Sequence, residues 1–236
     1  MNKLFAAIIL IASAVTISCI ALLGILVMQI SSLTAARNNQ SRLMTIIEFP
    51  DNNVLYPTTG AMSAFDMEMR GINPDYVCWI VVEGTKVNYP VVRTSDNEKY
   101  LNTSFFGERN PYGAIFMDYR NVGEIVPHII IYGHNPRDGS KFGSLRNFLN
   151  DEFLTNHTII TLKANDQIVE YEIFSARLTD IHDHAYFLDF SAPGSFRAFL
   201  ERNDAPMDAV QIITLSTCVS RGDDDERLIV QGALIR

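Results

Sequence analysis

Residues 4–30, LFAAIILIASAVTISCIALLGILVMQI, contain no charged residue. At about 1.5 Å rise per residue, roughly 20 residues of apolar helix cross the hydrocarbon layer of a bilayer, so this run is long enough to span one. A cleaved secretory signal is the competing reading, and Thr34-Ala35-Ala36 offers small residues for cleavage. The apolar part of such a signal is usually about 7–15 residues, so an uncleaved anchor over residues 1–30 is expected. Either way, the chain beyond residue 30 is expected to be exported. Lys3 before the run and Arg37 and Arg42 after it leave the positive-inside rule undecided.

Export narrows the possible partners. Lys3 is the only charge ahead of Arg37, so the exported part holds 18 of the 19 Lys and Arg against all 27 Asp and Glu, a formal −9. A nucleic-acid partner needs a basic face and is excluded by that balance. Of the three cysteines, Cys19 lies in the apolar run, Cys78 inside the strand-like Tyr76–Val82, and Cys218 just past the apolar stretch Val210–Leu215. That distribution is not a disulfide framework. A structural cysteine packs as a small hydrophobe, which suits Cys78. Cys218 instead follows Ser216 and Thr217 at a strand end, where an exposed sulfur is available for chemistry.

Residues 31–72 are polar with scattered apolar positions and turn signals at Pro50-Asp51-Asn52-Asn53 and Tyr56–Gly60, and read as a partly helical juxtamembrane stalk. From residue 73 onward, runs rich in β-branched and aromatic residues alternate with turn signals. Eight strands are expected, over 76–82, 86–92, 113–118, 127–133, 158–163, 168–177, 210–217 and 227–235. Helical spacing of apolar residues over Ser140–Asn150 and Ser195–Asn203 predicts short helices. Glu170 and Glu172 flanking Tyr171 predict one wet strand face. Eight strands with few helices make a mainly β domain over 73–236, a barrel or sandwich.

Three reactive side chains fall at strand termini: His134 after His128–Gly133, Cys218, and Arg227 at the start of the last strand. A thiol of ordinary pKa is only a few per cent thiolate at pH 7, so a nucleophilic cysteine needs a nearby base or cation. His134 supplies one candidate. A permanently charged arginine can hold substrate carbonyls or an oxyanion. Spacing alone does not bring the three together.

At these residues the chain resembles a known family. Thr214-Leu215-Ser216-Thr217-Cys218, the later Arg227, Tyr132-Gly133-His134-Asn135, Asp138-Gly139-Ser140 and Phe142-Gly143 are similar to signatures of sortases, the cysteine transpeptidases of Gram-positive cell surfaces. Asn73–Val77, Tyr89–Val92, Asp96-Asn97 with Tyr100-Leu101, and Gly113–Asn121 resemble class B in particular. The resemblance runs from about residue 73 to 236. It implies an eight-stranded barrel with short peripheral helices behind one transmembrane helix, the amino terminus cytoplasmic and the barrel outside.

The resemblance also implies the chemistry. Cys218 would attack a sorting signal of a surface protein after threonine and carry the acyl group. His134 would move protons, and Arg227 would hold substrate and oxyanion. The acceptor would be an amine of the peptidoglycan cross-bridge or lipid II, or a pilin lysine. Asn97, Leu101, Tyr132, Ser216 and Tyr186 match positions lining the class B peptide groove. Two departures stand out: Val219 where an acidic residue often follows the cysteine, and a short 219–226 loop.

Other readings stay open at this point. A plain cysteine protease would use water in place of the amine, and a surface binding protein would have kept the barrel without turnover. His182-Asp183-His184 suggests a metal, but no Cys or Glu stands at ligand spacing, so a His-rich turn is expected. Gly222–Glu226 lacks the alternating carboxylates of a calcium loop and reads as solvated. No cofactor and no metal are implied.

Overall fold

The computed structural model describes residues 3–46, 62–123, 126–219 and 225–235. The chain divides into two compact units, residues 1–49 and 50–236. The first is one helix, α1 (Lys3–Ile46), which runs well beyond the apolar stretch. Within it, Val15–Ala35 is long and apolar enough to be a candidate membrane span.

The second unit opens with α2 (Ala64–Ile72). Ser63 caps it, accepting from the Asp66 amide at 3.0 Å and donating to the Asp66 carboxylate at 2.6 Å, so one side chain fills an orphan donor of the first turn. Eight strands follow: β1 (Tyr76–Val82), β2 (Asn88–Val92), β3 (Ile115–Met117), β4 (His128–Tyr132), β5 (Ile159–Ala164), β6 (Gln167–Asp180), β7 (Ile212–Cys218) and β8 (Glu226–Leu234). All eight fall on the expected segments. They close into a barrel in the order β1-β2-β3-β4-β7-β8-β6-β5, which leaves no unpaired sheet edge among the described residues.

Trp79, Ile80, Ile115, Ile130, Ile131, Leu215 and Val230 are fully buried in the core. Tyr171 is buried and Glu172 exposed, with Glu170 half-buried, so the alternation in β6 holds in outline. This strand outruns its predicted end because it pairs with β8 all the way to Asp180↔Glu226.

The segment after Ser140 is where the helical spacing misleads. Lys141 stands at φ 50°, which stops a helix from starting there. A 3₁₀ turn, Gly143–Leu149, follows instead. Asn150 then caps the short α3 (Asp151–Asn156) through the Phe153 amide. The other predicted helix is present as α4 (Ser195–Arg202). It sits in the long β6–β7 connection, packing Phe199 and Leu200 against Ile212 and Ala233.

Two strand pairs are parallel, β2 with β3 and β4 with β7. The second places the candidate site residues. Parallel strands end at the same side of a sheet, so the carboxyl ends of β4 and β7 arrive together although 83 residues lie between Tyr132 and its partner Ser216 along the chain.

Candidate active site

Three even-numbered residues of β7 point the same way, and each is polar or reactive. The Thr214 hydroxyl meets His128 Nε2 at 2.8 Å, the Ser216 hydroxyl meets the Tyr186 hydroxyl at 2.8 Å, and Cys218 closes the strand. Thr214 and Ser216 are buried, whereas Cys218 is exposed. Thr214 and Ser216 are therefore contact points for the elements covering this face of the strand. Cys78 differs in every respect: it is buried in β1, and enclosure pushes its thiol up to about 12.

β7 and β8 are antiparallel, and their last pair is Cys218↔Arg227. Arg227 is half-buried, and one Nη1–H donates to its neighbour Glu226 carbonyl at 3.1 Å. His134 lies two residues past the end of β4. Its Nε2 is 2.7 Å from the Leu101 carbonyl. A carbonyl only accepts, so Nε2 carries the proton and the neutral ring keeps its lone pair on Nδ1. Burial lowers the His134 pKa, the Leu101 carbonyl opposes that, and the nearby Lys141 cation reinforces it.

The Leu101 carbonyl can sit there because of a glycine. Gly113 is at φ 52°, and a Cβ on it would come within 2.0 Å of the Tyr100 oxygen and 2.8 Å of the Leu101 oxygen.

The expected groove residues gather around this centre. Tyr132 donates to Asp118 Oδ2 at 2.9 Å. Asn97 donates its Nδ2–H to the same oxygen at 3.1 Å and accepts the Tyr119 amide at 3.0 Å. Tyr186 bonds Ser216, and Leu101 offers its carbonyl to His134 while its side chain is exposed.

Sequence reasoning missed what joins two of them, Tyr132 and Asn97. Asp118 is wholly buried and holds Tyr132, Asn97 and, through two bonds of 2.9 and 2.8 Å, the Arg120 guanidinium. Burial alone would raise its pKa, but the Arg120 and Tyr132 hydrogen bonds prevail and hold the carboxyl below its ordinary value. The available signal was an acid placed directly after the buried Ile115–Met117 run, two residues before an arginine.

Asn135 and Arg146 were also missed. Asn135 Nδ2 donates to the Cys218 carbonyl at 2.8 Å, and Arg146 Nη2 donates to Asn135 Oδ1 at 2.5 Å.

Asp183 pairs with Arg177 at 2.6 and 2.8 Å and accepts the Ala185 amide, so the His182–His184 segment is a capped turn. Of the acidic loop, Gly222, Asp223 and Asp224 lie outside the described residues. The described stems are tied by backbone bonds from Val219 to Glu226 and from Ile181 to Asp225.

The sortase domain model matches residues 80–235. Sortase B of Listeria monocytogenes and sortase B of Staphylococcus aureus are each 32% identical over 179 residues, covering 71% of this chain and 73% of each relative. Among solved structures, sortase B from B. anthracis in complex with AAEK1 superposes with a TM-score of 0.74 at 28% identity, covering 86% of this chain and 99% of that one. The Staphylococcus aureus sortase B–substrate complex superposes at 0.67 with 31% identity, covering 75% and 87%. A closed eight-stranded barrel, a thiol at the end of β7 and relatives of this likeness lead to one conclusion: this chain belongs to the sortase family, and its relatives are class B sortases.

Proposed function

We propose that the protein is a membrane-anchored cysteine transpeptidase. Its amino terminus is cytoplasmic, and its barrel faces the cell wall. The observation that carries this reading is the rim itself. Cys218 pairs directly with Arg227, and the loop bearing His134 is fastened to the Cys218 carbonyl.

The thiolate Sγ of Cys218 adds to the carbonyl carbon of threonine in a sorting signal, and the oxyanion is held by the Arg227 guanidinium. His134, protonated on Nδ1, gives that proton to the departing amine as the C–N bond breaks, leaving a thioester. A cross-bridge or pilin amine then attacks the thioester. His134 Nδ1 takes its proton, the C–S bond breaks, and the thiolate returns. Asn97, Leu101, Tyr132, Ser216 and Tyr186 line the peptide groove beside this centre. The substrate-bound relative and a sortase B complexed with triglycine support a groove for peptide and a place for an amine.

The test incubates the full chain in detergent with quenched sorting peptides, with and without an amine nucleophile. The expected result is an acyl adduct on Cys218 by mass spectrometry and a transfer product only when amine is present. Hydrolysis alone, unchanged by amine, would make the protein a protease.

A further inference from the structure

The backbone ladder between β4 and β7 ends one step short of the nucleophile. Its last bond runs from the Gly133 amide to the Ser216 carbonyl at 3.2 Å. In a parallel ladder the next donor is the amide two residues on, at 135, and its acceptor is the carbonyl of Cys218. The chain turns away into Pro136 before that bond forms. The side chain of Asn135 supplies it instead, Nδ2 donating to the Cys218 carbonyl at 2.8 Å.

An asparagine amide can flip, and flipped it would set oxygen against oxygen. Arg146 prevents this. A guanidinium has donors only, so its Nη2 at 2.5 Å requires the amide oxygen on its side and leaves the NH₂ facing Cys218. Arg146 is itself steadied by its Nε–H donating to the Gly143 carbonyl at 3.0 Å. The loop is closed tightly there, since a Cβ on Gly143 would lie 2.3 Å from the Pro136 oxygen. A further bond, from the Phe142 amide to the His134 carbonyl at 3.0 Å, ties the imidazole-bearing residue into the same loop.

We propose that Asn135 and Arg146 are positioning residues: Asn135 is a side-chain rung that locks the peptide carrying the thiol to the loop carrying His134, and Arg146 fixes the polarity of that rung. Neither touches the reacting atoms. Beyond the rung, the end of β7 is held on its other edge by the Val219 amide donating to Glu226 at 3.3 Å. Removing the rung frees one side of the Cys218 peptide and lets the sulfur drift against Nδ1.

The role in turnover rests on the transpeptidase reading, so the experiment has one readout that needs turnover and one that does not. In the full chain in detergent, Asn135→Ala lowers kcat about 10- to 100-fold with KM nearly unchanged, the expected cost of a misplacement near 1 Å. Asn135→Asp, almost the same shape, does the same because it turns an acceptor toward an acceptor. Arg146→Ala loses less, about 3-fold, Arg146→Lys restores most of it, and Asn135→Ala with Arg146→Ala is no worse than Asn135→Ala alone.

Independently of substrate, hydrogen exchange in peptides covering 130–136 and 212–219 quickens in Asn135→Ala, while β1 and β2 stay protected. Wild-type kcat in both Asn135 variants, additive losses in the double variant, or unchanged exchange would overturn the proposal. Changed exchange in a chain whose wild type transfers nothing would keep the rung and remove the transpeptidase.

Discussion

β4 carries a histidine at its first residue and another two residues beyond its last, and the pair shows what the rim of this barrel does that its interior does not. His128 is sealed. Its Nδ1–H donates to the Phe187 carbonyl at 2.9 Å, its Nε2 accepts from Thr214, and Phe199 and Phe190 pack against the ring at 4.7 and 6.4 Å. Burial pushes its pKa down to about 4, so it is a neutral strut. His134 has one nitrogen fixed on a carbonyl and the other left with its lone pair. The two side chains are chemically identical. The number of hydrogen bonds each must satisfy, and the water each loses, separate a structural histidine from an acid–base candidate. Cys78 and Cys218 repeat the contrast between β1 and the end of β7.

The largest test breaks the contrast between the cysteines. Cys218→Ala should lower peptide turnover by at least about 10³-fold, the scale of losing a nucleophile. Cys78→Ala should keep turnover and cost about 1 kcal/mol of stability, read from urea midpoints.

Next comes the buried carboxylate beneath the rim. Asp118→Ala takes the acceptor from Tyr132 and Asn97 while the half-exposed Arg120 turns to water, and should cost about 2–4 kcal/mol in denaturation. Asp118→Asn, which keeps an acceptor, should lose less and show its effect mainly in KM.

The interior histidine gives a pH signature. Its folded pKa lies below the unfolded value near 6.5, so the unfolded chain binds the proton first as pH falls. The stability owed to a neutral His128 is therefore full above about pH 6.5 and is lost progressively toward pH 4, to the extent of about 3 kcal/mol. Urea midpoints measured across that window should show the slope in the wild type and a flatter curve in His128→Gln.

The smallest effect sharpens the rim. The Lys141 ammonium lies 4.6 Å from the centre of the Tyr89 ring, and enclosure pushes its own pKa down to about 8. Its charge disfavours the imidazolium of His134. Lys141→Met should therefore raise the His134 midpoint in an NMR titration of the ring proton.

The strands were legible because each is a short run of β-branched and aromatic residues with a turn signal on either side, as in Tyr76–Val82 and His128–Tyr132. The placement of His134, Cys218 and Arg227 at strand ends was legible because each adjoins an apolar strand run. The supports were not. Asp118 meets Asn97 from 21 residues away, His128 meets Thr214 across 86, and Asn135 reaches Cys218 across 83. Such bonds exist only once the barrel closes, and no local period announces them. Leu101 shows the limit most plainly, since the atom that orients His134 is its carbonyl, which every residue type has.

The register between β7 and β8 has an evolutionary consequence. Seven consecutive cross-strand pairs, from Ile212↔Ala233 to Cys218↔Arg227, set the thiol opposite the guanidinium. All seven pairs lie within residues 212–218 and 227–233. The sequence connecting the two strands can therefore change in length or charge while that register is kept. A lineage can thus vary its sequence within a few residues of Cys218 and inherit the Cys218–Arg227 pairing unchanged.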